Sequence, residues 1–432
     1  MQYYSLNHNA PDVDFKTATL YGQAPDKGLY FPKYIPRFSE KFLQNLSTLS
    51  SEEIGVEVIR PYIENEIPEA DLKRIVSETL NFPIPLVPVN DNIWSLELYH
   101  GPTLAFKDIG ARFMSRCLGY FAKQIEKRIV VLVATSGDTG GAVAHGFYDV
   151  PGIDVVILYP SGKVSPVQEK QLTTLGKNIH ALEVKGNFDD CQRMVKQAFT
   201  DKELTENIFL TSANSINVAR WLPQQFYYLL ALKQWNQAQP PVISVPSGNF
   251  GNICAGLLAN ASGMPVDHFV AAVNMNDVVP RYFETKRYEP LPAKATLSNA
   301  MDVGDPSNFI RVREIFHDSF PGLSEKMSSE KFTDQQTEAA IEKVYQAFHY
   351  TLDPHGAVAF LGLDSYLKKH PGKKGFILET AHPVKFPESV ERITGTKIPI
   401  PEHVQPIMSA QKKSILIDPD YVQLKQSLSS LF

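Results

Sequence analysis

Cysteine is scarce: Cys117, Cys191 and Cys254 are the only three in 432 residues, and they stand far apart. An odd, scattered set offers neither a disulfide framework nor the paired spacing of a zinc site, so a reducing cytoplasm is the expected compartment. None of the 11 histidines forms a His-Glu-x-x-His pair, and no metal is expected. Long hydrophobic runs are also missing. Stretches such as Ile129 to Ala134 are strand-length, and the opening Met-Gln-Tyr-Tyr-Ser-Leu-Asn-His lacks the charged-then-apolar layout of a signal peptide, so no membrane partner is expected. A formal charge of −5 without any basic run argues against a nucleic-acid partner. Neither G-x-G-x-x-G nor the P-loop pattern occurs, which counts against dinucleotide and nucleoside triphosphate binding. There is no internal repeat and no low-complexity segment. What remains, 43% hydrophobic and 21% charged residues, is the composition of a soluble globular protein with room for two or three domains.

Residues 1–95 are rich in proline, tyrosine and acidic side chains and contain the stretch Gly28-Leu29-Tyr30-Phe31-Pro32. Helical patterns follow at 39–49 and 69–80, and the Ser50…Glu53 spacing of a capping box predicts a helix between them. This part reads as a small α+β domain, closed by Phe82-Pro83-Ile84-Pro85-Leu86-Val87-Pro88, where three prolines exclude a continuing helix. From about 96 to 385, apolar runs alternate with helical patterns. Strands are expected near 129–134, 154–159, 179–184, 208–210, 241–245, 268–273 and 375–378. Helices are expected over 108–128, 139–150, 166–175, 188–199, 217–237, 251–261, 333–350 and 354–369. Such alternation implies right-handed crossovers and parallel sheets, with enough units for two. The stretch 276–332 has weak periodicity, and 386–432 reads as a peripheral helix and tail.

Three clusters carry chemistry. Lys107 follows Leu104-Ala105-Phe106 and opens an amphipathic helix; desolvation by apolar neighbours lowers an amine's pKa and keeps a nucleophilic fraction near neutral pH. Thr135-Ser136-Gly137-Asp138-Thr139-Gly140-Gly141 and Pro246-Ser247-Gly248-Asn249-Phe250-Gly251-Asn252 each link an apolar run to a helix. Free N–H groups and the helix dipole make both turns anion sites, and glycine lets the backbone approach a ligand. A buried amine with two anion cradles suggests a Schiff-base lysine, a cofactor phosphate and a substrate carboxylate. Asn214, Ser215, Asn217 and Arg220 form a third polar cluster at a helix start, where Arg offers a bidentate fork. An N-cap with a surface arginine would also explain it. Lys163 in Ser161-Gly162-Lys163-Val164-Ser165 is either a further anion contact or a solvated loop lysine.

Phe-Lys-Asp at 106–108, Ser-Gly-Asp-Thr-Gly at 136–140, Ser-Ala-Asn-Ser-Ile-Asn at 212–217, Ser-Gly-Asn-Phe-Gly at 247–251 and Thr-Ala-His-Pro at 380–383 resemble, in order and spacing, the threonine synthase family in its longer bacterial and fungal form. The resemblance spans the chain. It implies an α/β fold of two parallel-sheet lobes, the pyridoxal-phosphate fold type II, with a small N-terminal α+β domain. It implies domains over 1–95, 96–385 and 386–432, and pyridoxal 5′-phosphate held by Lys107. The cofactor phosphate would lie on Ser247, Gly248, Asn249, Phe250, Gly251 and Asn252, with Thr380 at the pyridine nitrogen. Ser136, Gly137, Asp138 and Thr139 would receive the substrate carboxylate; related enzymes carry Asn where Asp138 stands. Asn214, Ser215, Asn217 and Arg220 would hold the substrate phosphate, with Lys163 as the alternative.

The implied activity converts O-phospho-L-homoserine and water to L-threonine and phosphate, in a monomer or homodimer. A serine or threonine dehydratase of the same fold needs no substrate-phosphate site. A silent homologue would not need Lys107, and a dinucleotide-dependent oxidoreductase would need the missing glycine fingerprint. The resemblance implies no role for His382, Lys385 or Leu297 to Asp302.

Overall fold

The computed structural model describes residues 1–432. Its strands in chain order are β1 (Tyr3–Ser5), β2 (Tyr30–Pro32), β3 (Leu86–Pro88), β4 (Ile93–Glu97), β5 (Ile129–Ala134), β6 (Ile153–Pro160), β7 (Ile179–Val184), β8 (Phe209–Thr211), β9 (Val242–Pro246), β10 (His268–Val273), β11 (Met327–Lys331), β12 (Gly375–Glu379) and β13 (Ile415–Ile417). Two parallel-sheet lobes result. The larger has the order β11-β10-β9-β12-β4-β3, parallel except for β3 against β4; the smaller is all parallel in the order β13-β7-β6-β5-β8. β5, β6, β9 and β10 are buried almost throughout, as continuous apolar runs covered by helices on both faces demand.

β1 and β2 form an antiparallel pair in the N-terminal part. Ser50 caps helix Ser51–Ile63 with the expected capping box. The N-terminal part is nevertheless shorter than 1–95, because β3 and β4 pair into the large-lobe sheet through Leu86 and Leu96. The 217–237 helix is broken into Val218–Trp221, a 3-10 turn Leu222–Gln224 and Gln225–Gln234. Pro223 has no N–H to continue the ladder. The weakly periodic 276–332 stretch holds three short α-helices, Val278–Thr285, Phe309–Ile315 and Phe320–Lys326, a 3-10 turn Asn299–Met301, and then β11. The C-terminal segment is not peripheral. β13 adds an edge to the small-lobe sheet by pairing with β7, and Leu424 and Leu428 of helix Tyr421–Leu431 bury themselves against the same lobe.

The carboxyl ends of β5, β6 and β8 in one lobe, and of β4, β9 and β12 in the other, lead into the segments singled out in the sequence. Open parallel sheets place ligands outside those ends, because helix N-termini and unpaired loop backbone collect there.

Candidate active site

The turn before Lys107 is built by its own side chains. Asp108 accepts the Thr103 N–H at 2.9 Å and the Thr103 hydroxyl at 2.6 Å. A Cβ at position 101 would lie 2.5 Å from Asp108 Oδ2, so Gly101 is required there. The turn forces buried Leu104 to φ 58°, a left-handed conformation that a branched side chain rarely adopts. Short antiparallel pairing then ties it to the segment after β12. Phe106 N–H donates to the Thr380 carbonyl at 2.9 Å, and His382 N–H to the Leu104 carbonyl at 3.0 Å. Lys107 and Thr380 are thereby positioned together. The Thr380 hydroxyl is 5% exposed by residue and donates to nothing within the chain.

Lys107 heads helix Lys107–Ala122 with its side chain 19% exposed. Burial lowers its pKa below 10.5, partly offset by the Asp138 carboxylate, whose Oδ2 is 3.8 Å from Nζ. Asp138 itself is nearly buried. Burial alone would raise it, but the ammonium groups of Lys385 and Lys107 hold it well below the usual carboxylate range. Lys385 Nζ lies 2.5 Å from Asp138 Oδ1 and donates to the Thr103 carbonyl at 2.9 Å, while Gln168 Nε2 donates to the same carboxylate oxygen at 2.9 Å. Lys385 follows β12 in the large lobe and Asp138 follows β5 in the small lobe, so this buried pair spans the cleft.

Both glycine-rich turns present free donors. After β9, the backbone N–H groups of residues 248–252 find no acceptor in the chain, whereas Ser247 N–H donates to the Ala272 carbonyl, Ile253 N–H to Asn252 Oδ1 and Cys254 N–H to the Phe250 carbonyl. Phe250 stands at φ 61° and caps helix Gly251–Ala261. The 300–301 backbone closes on Gly248, where a Cβ would sit 2.6 Å from Met301 Cα. Asn249 is fixed from both ends, its Nδ2 donating to Ser215 Oγ at 2.9 Å and its Oδ1 accepting from Ser307 N–H at 2.7 Å. Asn252 turns inward to the Pro246 carbonyl, leaving its N–H for the cradle. After β5, Thr135 Oγ1 accepts the N–H groups of Gly137 and Gly140 at 3.0 and 2.9 Å, leaving those of Ser136, Asp138 and Thr139 unpaired. Gly137 takes φ 141° with Gln168 where a Cβ would go. Ser136 is exposed, and Thr139 is partly so.

These features fit pyridoxal phosphate. Five free N–H groups at a helix start suit a phosphate, a lysine with depressed pKa suits a carbonyl partner, and an unpaired hydroxyl suits a ring nitrogen.

The 214–220 cluster does not form the single phosphate pocket expected of it. In a tight turn neighbouring side chains diverge. Ser215 faces the 249 loop. Asn217 is wholly buried against the N-terminal part, its Nδ2 donating to the Thr19 carbonyl at 2.7 Å and its Oδ1 capping Ala219 N–H, so it is structural. The Asn214 carbonyl accepts Asn217 N–H. Arg220 is 4% exposed, with Nη1 donating to the Ala213 carbonyl and Nε unpartnered beside Gly110, one turn along the Lys107 helix. Burial brings its pKa to about 10. Lys163 is exposed on the small-lobe rim, just ahead of Ser165, which caps the helix carrying Gln168. Sequence reasoning missed Gln168 and gave no role to Lys385, which stands five residues after Thr380 but carries no local pattern.

His382 is held neutral, burial lowering its pKa to about 4, with Nδ1 accepting Val384 N–H and its ring against Tyr99. Beneath the site, burial and then Asp353 raise Glu379 well above the carboxylate range.

Comparison with known proteins bears on the same residues. Residues 78–378 match the family model of pyridoxal-phosphate dependent enzymes, 2–80 that of the threonine synthase N terminus, and 357–427 the threonine synthase C-terminal model. A curated threonine synthase of Haemophilus influenzae is 44% identical over 430 residues, 99% of each chain. The crystal structure of threonine synthase from Escherichia coli superposes with a TM-score of 0.91 at 41% identity, covering 100% of both chains. The structure of pyridoxal-phosphate-bound threonine synthase from Brucella melitensis gives 0.93 at 34% identity, covering 100% of this chain and 99% of the other.

Proposed function

The chain belongs to the threonine synthase family of pyridoxal-phosphate-dependent lyases, and from that premise we propose how its residues divide the work of turning O-phospho-L-homoserine and water into L-threonine and phosphate. The observation that carries the assignment is Lys107, mostly buried beside the Phe106–Thr380 pairing, with Nζ 3.8 Å from the Asp138 carboxylate, together with two turns whose N–H groups are free. The cofactor supplies an electron sink for charge developing beside the amino-bearing carbon.

Lys107 would hold the cofactor and, as a free amine, would carry protons at Cα and Cβ; its depressed pKa keeps that amine available. The backbone of 248–252 takes the cofactor phosphate, and the Thr380 hydroxyl meets the pyridine nitrogen without adding charge. Ser136, Asp138 and Thr139 N–H groups receive the substrate carboxylate, with the Ser136 and Thr139 hydroxyls beside them. Asp138, kept ionised by Lys385, steers the Lys107 ammonium. Removal of a proton from Cβ would let the Cγ–O bond break with departure of phosphate; Cγ would then take up a proton to become the methyl group, and water would add its oxygen at Cβ while Cα is reprotonated. Arg220, the buried cation beside the Lys107 helix, and Lys163 on the rim are the groups proposed to balance the departing phosphate. We read the enzyme as cytoplasmic, a monomer or homodimer, acting on a small molecule without nucleic-acid or membrane partners.

Phosphate release from O-phospho-L-homoserine tests the reading, with serine and threonine deamination as the control reaction. A chain that deaminates these but releases no phosphate is a dehydratase instead.

A further inference from the structure

Arg311, in helix Phe309–Ile315, is wholly buried, and burial lowers its pKa to about 10 with no carboxylate to offset it. Its nitrogens are engaged by neutral oxygens alone. Nε and Nη2 donate to the Tyr30 carbonyl at 3.3 and 3.0 Å, and Nη2 to the Ile216 carbonyl at 2.6 Å. Nη1 donates to the Ser215 carbonyl at 3.2 Å and to Asn308 Oδ1 at 2.8 Å. The guanidinium also lies 4.4 Å above the Trp221 ring. A buried charge is ordinarily paired with an opposite one; here the chain provides none.

The two residues that Arg311 grips by Nη1 form the wall behind the 248–252 cradle. Asn308 Nδ2 donates to Ser215 Oγ at 3.1 Å, and that same hydroxyl accepts from Asn249 Nδ2. Asn308 N–H donates to the Asn249 carbonyl at 3.2 Å. At Gly251, an added Cβ would be 3.3 Å from Asn308 Nδ2 and 3.5 Å from Ser215 Cβ. The unneutralised cation therefore stands one residue behind a row of five free N–H donors.

We propose that Arg311 is a positioning residue for the phosphate seated at 248–252, which serves as its missing counter-ion. The proposal rests on the reading that this cradle takes the cofactor phosphate. Arg311 acts through Asn308 and Ser215, holding Asn249 and Gly251 so that their N–H groups converge, and adds a positive field that water cannot screen. It also links the N-terminal part, through the Tyr30 carbonyl, to the loop that holds the cofactor.

A staple for the Tyr30 carbonyl alone would affect binding of pyridoxal and pyridoxal 5′-phosphate alike, so the ratio of the two affinities separates the roles. Both are measured by absorbance titration of the cofactor-free full-length chain. Wild type favours the phosphorylated form. Arg311→Gln, which keeps donors but loses the charge, lowers that preference by about tenfold or more, while pyridoxal affinity changes by less than about threefold. Arg311→Lys, which keeps the charge and loses the fork, retains the preference to within about threefold. An unchanged preference in Arg311→Gln overturns the proposal. So does its loss in Arg311→Lys, which decides the matter alone should Arg311→Gln not fold. A wild-type chain that binds both forms equally overturns the cradle reading itself, and is thus distinct from failure of the Arg311 assignment.

Discussion

The ammonium of Lys385 lies 2.5 Å from Asp138 Oδ1, joining the large lobe to the small one across the cleft. Both side chains are almost fully buried, so neither charge has water to fall back on. Lys385→Met should cost about 3 kcal/mol or more of unfolding free energy, because it strands a buried carboxylate. The double variant Lys385→Met with Asp138→Asn should cost less than the sum of the single changes. Urea unfolding of the four proteins checks this. The pH dependence has a fixed sign. The folded pKa of Asp138 is depressed below 3.8, so its stabilisation is complete above about pH 4 and is lost as pH falls toward the folded value.

Lys107 should titrate below an ordinary lysine. In the cofactor-free chain, the pH profile of its acylation, read by mass spectrometry of the peptide, is expected to have a midpoint under 10.5. The Asp138 carboxylate opposes the lowering by burial, so Asp138→Asn should move the midpoint further down. A midpoint that rises in that variant contradicts the Lys107–Asp138 coupling. Folded Lys107 binds fewer protons than unfolded Lys107 between its lowered pKa and 10.5, so its contribution to stability increases with pH across that window.

The Thr380 hydroxyl has no partner within the chain. Thr380→Val should therefore leave the unfolding free energy of the cofactor-free protein within about 0.5 kcal/mol. Threonine formation should fall by about tenfold, equivalent to about 1.4 kcal/mol of barrier. A large loss of cofactor-free stability in this variant would make Thr380 a structural residue.

Asn217 and Arg220, three residues apart, should behave differently. Asn217→Ala leaves the Thr19 carbonyl without its donor and should cost about 1–3 kcal/mol of stability. It should not alter the ratio of O-phosphohomoserine turnover to serine deamination. Arg220→Ala should lower kcat/KM for O-phosphohomoserine by about 10²-fold and serine deamination far less. Equal effects on both reactions would move the substrate-phosphate contact to Lys163.

The parallel-sheet architecture was legible because β5, β6, β9 and β10 are continuous apolar runs, and a buried parallel strand leaves that mark in any sequence. The burial of Lys107 at a helix start and the free N–H groups of both glycine-rich turns were legible for a similar reason: they follow from local sequence. Lys385 was not, since only the return of β12 to the middle of its sheet brings it to Asp138. The 214–220 cluster misled because spacing along a turn does not reveal side-chain direction; Ser215, Asn217 and Arg220 point to three different parts of the molecule. β13 was missed because Ile415-Leu416-Ile417 is too short for an alternation to register. The N-terminal boundary slipped because prolines that end a helix do not forbid an edge strand, and β3 is one.

The central claim is that Lys107 works on a phosphorylated homoserine with threonine as the product. The direct measurement is simultaneous quantitation of phosphate and L-threonine from O-phospho-L-homoserine, for wild type and Lys107→Ala loaded with pyridoxal 5′-phosphate. Wild type should yield the two products in equal amounts, and Lys107→Ala should yield neither above background. Normal turnover by Lys107→Ala, or phosphate released by wild type without matching threonine, would contradict the account.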